Sequence, residues 1–208
     1  MPTIPTIREE IYPVYKIKKQ VGTYGVEIET ETLSKDKYPE GFITEDHDYP
    51  PNHKKFLKCK KLPGWDIHLD GSLRNYGIEY VFSEPYTLQE SMAALDLFEK
   101  ETSKIPFIQN SPSTSVHVHV NISNETFVTM GNFLTLWILF ENVLVEFSGE
   151  SRRSNLFALP NRCAERTHIN IIKMFQKLEK NKSPAGLSFP QETVKYAAIN
   201  LGDRKSVV

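Results

Sequence analysis

Alternation and helical spacing divide the chain before any chemistry is considered. Gly25-Val26-Glu27-Ile28-Glu29-Thr30-Glu31 alternates strand-forming and acidic residues, the period of two expected when one face of a strand is buried. It predicts a strand over about 23–32. Trp65-Asp66-Ile67-His68-Leu69-Asp70-Gly71-Ser72 predicts a short strand running into a turn at Asp70-Gly71. Gly77-Ile78-Glu79-Tyr80-Val81-Phe82-Ser83 predicts another, ended by Pro85, and the two are expected to form a hairpin. Ser115-Val116-His117-Val118-His119-Val120-Asn121 alternates strictly and predicts a further strand.

Helical signals lie between and beyond these strands. Thr87 with Glu90 three residues on is a capping box for a helix over about 88–102, with Leu88, Met92, Leu95 and Phe98 as its expected buried stripe. A strongly apolar helix is expected over about 126–148, closed by Gly149. Another, over about 167–181, places Ile169, Ile172, Phe175 and Leu178 on one side, with Lys177, Lys180 and Lys182 near its negative end. Residues 1–20 show no clear periodicity, and 34–63 read as a long polar loop rich in proline and lysine, of the kind that serves as a lid or binding loop or is disordered. Residues 181–190 read as a loop, and 194–201 as the start of a strand or helix. The expected class is α+β, a largely antiparallel sheet with helices packed on one face and the other face free for polar groups.

Composition narrows the functions. At 208 residues and 39% hydrophobic, the chain suits one domain. Its 25 basic and 26 acidic residues give no global basic excess, so a nucleic-acid partner is not expected. Cys59 and Cys163 are too few for a disulfide framework and wrongly spaced for structural zinc, which points to a reducing, cytoplasmic setting. The N-terminus does not read as a signal peptide. The apolar run from Phe127 to Phe147 is interrupted by Asn132, Glu141, Asn142 and Glu146, which favours a core helix over a membrane span. Lys54 to Lys61 forms a basic cluster, read first as a solvated charge run and second as a phosphate-contacting flap.

The candidate chemistry lies on the strands. Glu27, Glu29 and Glu31 project from one face about 7 Å apart, where each neighbouring pair repels by about 2 kcal/mol at an effective dielectric near 20. Water, arginines or divalent cations must offset that cost. Glu79 shares a face with Val81 and Ser83, and His117, His119 and Asn121 share one opposite the valines of their strand. If these polar faces coincide, they form a carboxylate and imidazole surface suited to magnesium or manganese. Past the long helix, Arg152 and Arg153 are adjacent, so one of them can clamp a phosphate while the other points away. No Gly-rich phosphate loop is present in the sequence.

Taken in order, Gly25-Val26-Glu27-Ile28-Glu29, Asp70-Gly71-Ser72, Gly77-Ile78-Glu79, Ser83-Glu84-Pro85, His117-Val118-His119-Val120 and the two arginines resemble the amidoligase family across about 22–201. That family is related to glutamine synthetase and glutamate–cysteine ligase, and is frequent in phage and bacterial gene clusters. The resemblance implies a glutamine synthetase-like carboxylate–amine ligase fold and an ATP-dependent reaction. A carboxylate, from a small molecule or peptide, is phosphorylated, and an amine attacks the acyl phosphate to form an amide or isopeptide bond. It implies Glu27, Glu29, Glu79 and His117 as ligands to Mg2+ or Mn2+, and His117, His119 and Arg152 as contacts to ATP. Arg152 and Arg153 would stabilise the transferring phosphoryl group, and Asp70 and Ser72 would shape the site or touch substrate. Self-association is left open.

The family pattern continues beyond the segment matching Lys195 to Asn200 into a strand with a Glu-x-Arg motif and a helix, whereas here Asp203 to Val208 reads like translated sequencing adaptor. Residues 1–202 are therefore expected to be one domain lacking its C-terminal part, with 203–208 a non-native tail. Two other readings share these residues. One is a metal-dependent hydrolase using the same ligands to activate water; the other is a binding protein that keeps the fold without turnover.

Overall fold

The structure, a computed structural model, describes residues 5–7, 9, 24–34, 37, 57–58, 61–69, 73–108, 111, 113–147, 149, 165–180 and 182. The chain divides into two compact units, residues 20–120 and residues 1–19 with 121–208. Among the described residues, the first contains an antiparallel sheet and one helix, and the second contains two helices.

The sheet has strands β1 (Tyr24–Thr32), β2 (Leu57–Lys58), β3 (Trp65–Leu69), β4 (Tyr76–Phe82) and β5 (Val116–Val120), in the order β2-β3-β4-β1-β5. β3 and β4 pair antiparallel as the sequence predicts, with Leu69 opposite Ile78. Asn75, with φ of 55°, takes the left-handed conformation just before β4; asparagine tolerates it better than most residues. β2 falls inside the stretch read as an unstructured loop, its two residues pairing with Ile67 and Asp66.

One face of the sheet is apolar. Val26 of β1, Trp65 and Ile67 of β3, and Ile78, Tyr80 and Phe82 of β4 are buried with Leu62 and Ile105. They lie under helix α1 (Leu88–Thr102), whose Ala94, Leu95, Leu97 and Phe98 pack against them. Trp65 meets Phe82 edge-on at 4.5 Å and Phe98 at 5.1 Å, while Tyr80 meets Phe98 at 5.0 Å. Such aromatic pairs contribute about 0.5–1.5 kcal/mol each beyond area burial.

α1 begins where the sequence places it. The Thr87 hydroxyl accepts the Glu90 N–H while the Glu90 carboxylate accepts the Thr87 N–H. The buried stripe, however, is rotated from the expected one: Leu88 and Met92 are exposed, and Ser91 and Thr102 are buried with the half-buried Ala94, Leu95 and Phe98 between them. The cause is Trp65. Its indole lies beneath the helix and donates to the Ala94 carbonyl at 3.2 Å, so small residues, Ser91 and Ala94, face the sheet there.

The second unit pairs helix α2 (Phe127–Phe147) with helix α3 (Glu165–Glu179). Met130 and Leu134 of α2 and Ile171 and Met174 of α3 form its core together with Ile7. The Ile7 N–H donates to the Glu125 carbonyl at 2.6 Å, tying the start of the chain to the approach to α2. Gly149, at φ 91°, lies in the left-handed region expected just beyond α2. Two expectations need correction here. In α3 the buried residues are Ile171 and Met174, with Phe175 and Leu178 beside them, whereas Ile169 and Ile172 are exposed. And α2 is not enclosed as a core helix: only Met130, Gly131, Leu134 and Glu141 are buried, because α3 covers a single stripe. By length and composition alone α2 could cross a membrane.

Candidate functional site

The face of the sheet opposite α1 carries the ionisable side chains, and strand register determines which of them meet. β1 lies between β4 and β5. Glu27 is opposite His117 on β5 and Val81 on β4, and Val81 is opposite Asp66 on β3. One row along, Glu29 is opposite Glu79, and Glu79 is opposite His68. Glu27, Glu29, Glu79, His117 and His119 therefore share a face, as do Asp66 and His68. Directly opposed residues have Cβ atoms about 5 Å apart, so Glu29 and Glu79 repel more strongly than neighbours along β1.

The imidazoles of β5 lean toward the glutamates of β1. His119 Nε2 is 3.3 Å from Glu27 Oε1. Gly25 lies opposite His119, and a Cβ there would make ordinary contact with the His119 Cβ at 3.4 Å. His117 Nε2 is 3.9 Å from Glu29 Oε1, and Ser115 bridges the two. The Ser115 hydroxyl donates to Glu29 Oε2 at 2.5 Å and lies 2.5 Å from His117 Nε2, while the Glu29 N–H donates to the Ser115 carbonyl at 2.9 Å. Ser115 is thus held to β1 by backbone and side chain together. His117 is half-exposed, whereas Glu29 is largely covered.

Glu31, the third acid of β1, is committed to the fold. It is 1% exposed. One carboxylate oxygen accepts the Arg74 N–H at 2.5 Å and the Ser113 hydroxyl at 2.8 Å, and the other accepts the Ser111 hydroxyl at 2.8 Å. Burial pushes this carboxyl up and is the largest single influence. The bonds from Ser113, Ser111, the Arg74 N–H and Asn75 together outweigh it and hold the group below its ordinary value of 4.5. Glu31 thereby fixes the segment before β4 and the segment before β5, the second of which carries Ser115.

Carboxylate oxygens with imidazole nitrogen are a donor set that magnesium or manganese accepts. Among the described residues, no three His, Cys, Asp or Glu side chains are grouped so as to hold one ion. The fit is therefore to an ion taking one or two protein carboxylates and completing its shell from a phosphate or water, not to an all-protein cage. Asp70, Ser72, Arg152 and Arg153, the other residues singled out in the sequence, lie outside the described residues. So do most of the 54–61 basic cluster and the 194–201 segment.

Two members of the face were not singled out in the sequence. Asp66 and His68 alternate with Trp65, Ile67 and Leu69, the same period that marks β1, and the hairpin register places His68 beside Glu79. Asp66 Oδ1 is buried and has no hydrogen-bond partner among the described residues. No family model, curated protein or solved structure matches this chain.

Proposed function

We propose that this chain is an ATP- and magnesium-dependent ligase that joins a carboxylate to an amine through an acyl phosphate. The observation that supports it is the register that gathers Glu27, Glu29, Glu79, His117 and His119 on the one sheet face not covered by α1. In the reaction, the terminal phosphoryl group of ATP passes to a substrate carboxylate oxygen and ADP leaves. The amine then forms a bond to the acyl carbon, phosphate departs, and the amine gives up a proton.

One or two of Glu27, Glu29 and Glu79 would hold each magnesium ion, which when bound would screen the phosphate charge. Their mutual repulsion gives this face a standing preference for cations. His117 is half-exposed at the rim of the sheet; because the Ser115 hydroxyl gives its one proton to Glu29, Nε2 donates to that hydroxyl and Nδ1 is the nitrogen that can accept the amine proton, with the carboxylate nearby to stabilise the imidazolium. His119 beside Glu27 offers a second cationic group for phosphate oxygens when protonated.

A metal-dependent hydrolase would draw on the same ligands to activate water, and a requirement for the amine is what separates the two readings. Ser115, His117 and Glu29 do not form a nucleophilic triad. Carboxylate and imidazole reach the same hydroxyl, whereas in a triad the acid orients the far nitrogen of the base.

The test is ADP release by the full chain, scanned over candidate amines and carboxylates with and without magnesium. Release that needs both substrates and the metal, and that is lost in Glu27→Gln and Glu29→Gln, is the expected result. Release that needs only water identifies a hydrolase, and release unchanged in Glu27→Gln and Glu29→Gln overturns the assignment of those residues.

A further inference from the structure

α2 is divided lengthwise into three stripes. Met130, Leu134 and Glu141 are buried on the stripe packed with α3. Asn132, Thr135, Asn142 and Glu146 form an exposed polar stripe. Between these run Phe133, Leu136, Phe140, Val143 and Phe147, which are 51–85% exposed. Their spacing of three, four, three and four residues is the heptad spacing that keeps one row of side chains facing a partner helix.

We propose that this stripe is the seam of a homodimer, in which α2 of one chain packs along α2 of a second copy. The spacing suits a helix as the occupant, since two such rows can interlock side by side. A second copy is favoured because a two-fold contact uses the same patch on both sides, and none of the five positions carries a charge that would repel its own image. The area agrees. With the flanking Leu139 and Leu144, the exposed apolar side chains amount to roughly 700 Å² per chain, so a pair would bury about 1,400 Å², within the range of stable interfaces. That is also more than the largest apolar patch of a typical monomer, about 300–600 Å². Lipid is disfavoured as the occupant by the polar stripe running alongside, which a span surrounded by hydrocarbon does not carry.

The full chain is examined by sedimentation equilibrium over a concentration series, and independently by thiol cross-linking. The expected mass approaches twice the 23.9 kDa of one chain and returns to that of one chain in Leu136→Glu/Phe140→Glu, with helical circular dichroism retained. For cross-linking, Cys59→Ser and Cys163→Ser are combined with Phe140→Cys. Position 140 is the centre of the stripe, so it meets its own copy whether the helices run parallel or antiparallel. Oxidation should give a covalent dimer there and not with Asn142→Cys on the polar stripe, a readout that survives if the glutamate variant fails to fold. The proposal is overturned by a one-chain mass at all concentrations without cross-linking at 140. That holds whether the thiol is then found protected within its own chain or the protein floats with lipid vesicles. A doubled mass unaffected by the Leu136 and Phe140 substitutions overturns it equally.

Discussion

Replacing Glu31 by glutamine tests the claim that the third acid of β1 is an anchor and not a ligand. The carboxylate accepts three hydrogen bonds of 2.5–2.8 Å from Arg74 N–H, Ser111 and Ser113. Bonds to a charged acceptor are worth about 1.5–3 kcal/mol each and neutral ones about 0.5–1.5. Glutamine keeps the shape, and the Ser111 hydroxyl can turn to accept from its amide. The loss is therefore about 1 kcal/mol per bond, reduced by no longer burying a charge, or about 1–2 kcal/mol in all. Glu31→Ala instead strands the Arg74 N–H and leaves a void, and should cost about 3–5 kcal/mol.

The pH dependence has a definite sign. Because the folded-state value is lowered from 4.5, the charged form stabilises the fold fully above the unfolded value. That contribution is lost as the pH falls through the lowered folded value. Urea unfolding followed by Trp65 fluorescence, in a Trp137→Phe background, should show wild type ahead of Glu31→Gln at pH 7. The gap should narrow as the pH falls below 4.5 and vanish once it is below the lowered folded-state value. Equal midpoints at pH 7, or a gap that does not narrow on acidification, would refute the assignment.

Other outcomes follow from the same geometry. A Cβ on Gly77 would collide first with the Cβ of Leu73, so Gly77→Ala should destabilise by about 1–3 kcal/mol by urea titration, and Leu73→Ala, which keeps that Cβ, should not restore the midpoint in the double variant. A double-mutant cycle on Ser115→Ala and Glu29→Gln should give a coupling of about 1 kcal/mol, where none is expected if the 2.5 Å bond is absent in solution. Met92→Lys should leave the midpoint within about 0.5 kcal/mol, because that side chain faces water. Phe98→Ala, beneath which Trp65 and Tyr80 pack, should lower it by about 3–4 kcal/mol.

What was legible in the sequence was local. The alternation of β1, β4 and β5 made their two faces readable, and the Thr87/Glu90 pair marked the start of α1, since those signals lie within a few residues of the element they define. The coincidence of the acidic and imidazole faces could be posed only as a condition, because it depends on pairings between Glu27 and His117 and between Glu29 and Glu79. The rotated stripe of α1 was hidden because the bulk that sets it belongs to Trp65, 29 residues from Ala94. The anchoring of Glu31 was hidden for the same reason, its serine donors lying 80 and 82 residues away. Asp66 and His68 were readable from the same alternation, with Trp65, Ile67 and Leu69 between and beside them.

β1 has neighbours on both sides, and that position constrains how its gene can change. Deleting or adding one codon within 24–32 would reverse the parity of every side chain beyond it. Acids would be driven beneath α1, and Val26, Ile28 or Thr30 would be turned out to water. Removing or adding two codons preserves parity and shifts only the partners. A codon-deletion library scored for soluble expression should therefore tolerate even changes in this segment better than odd ones.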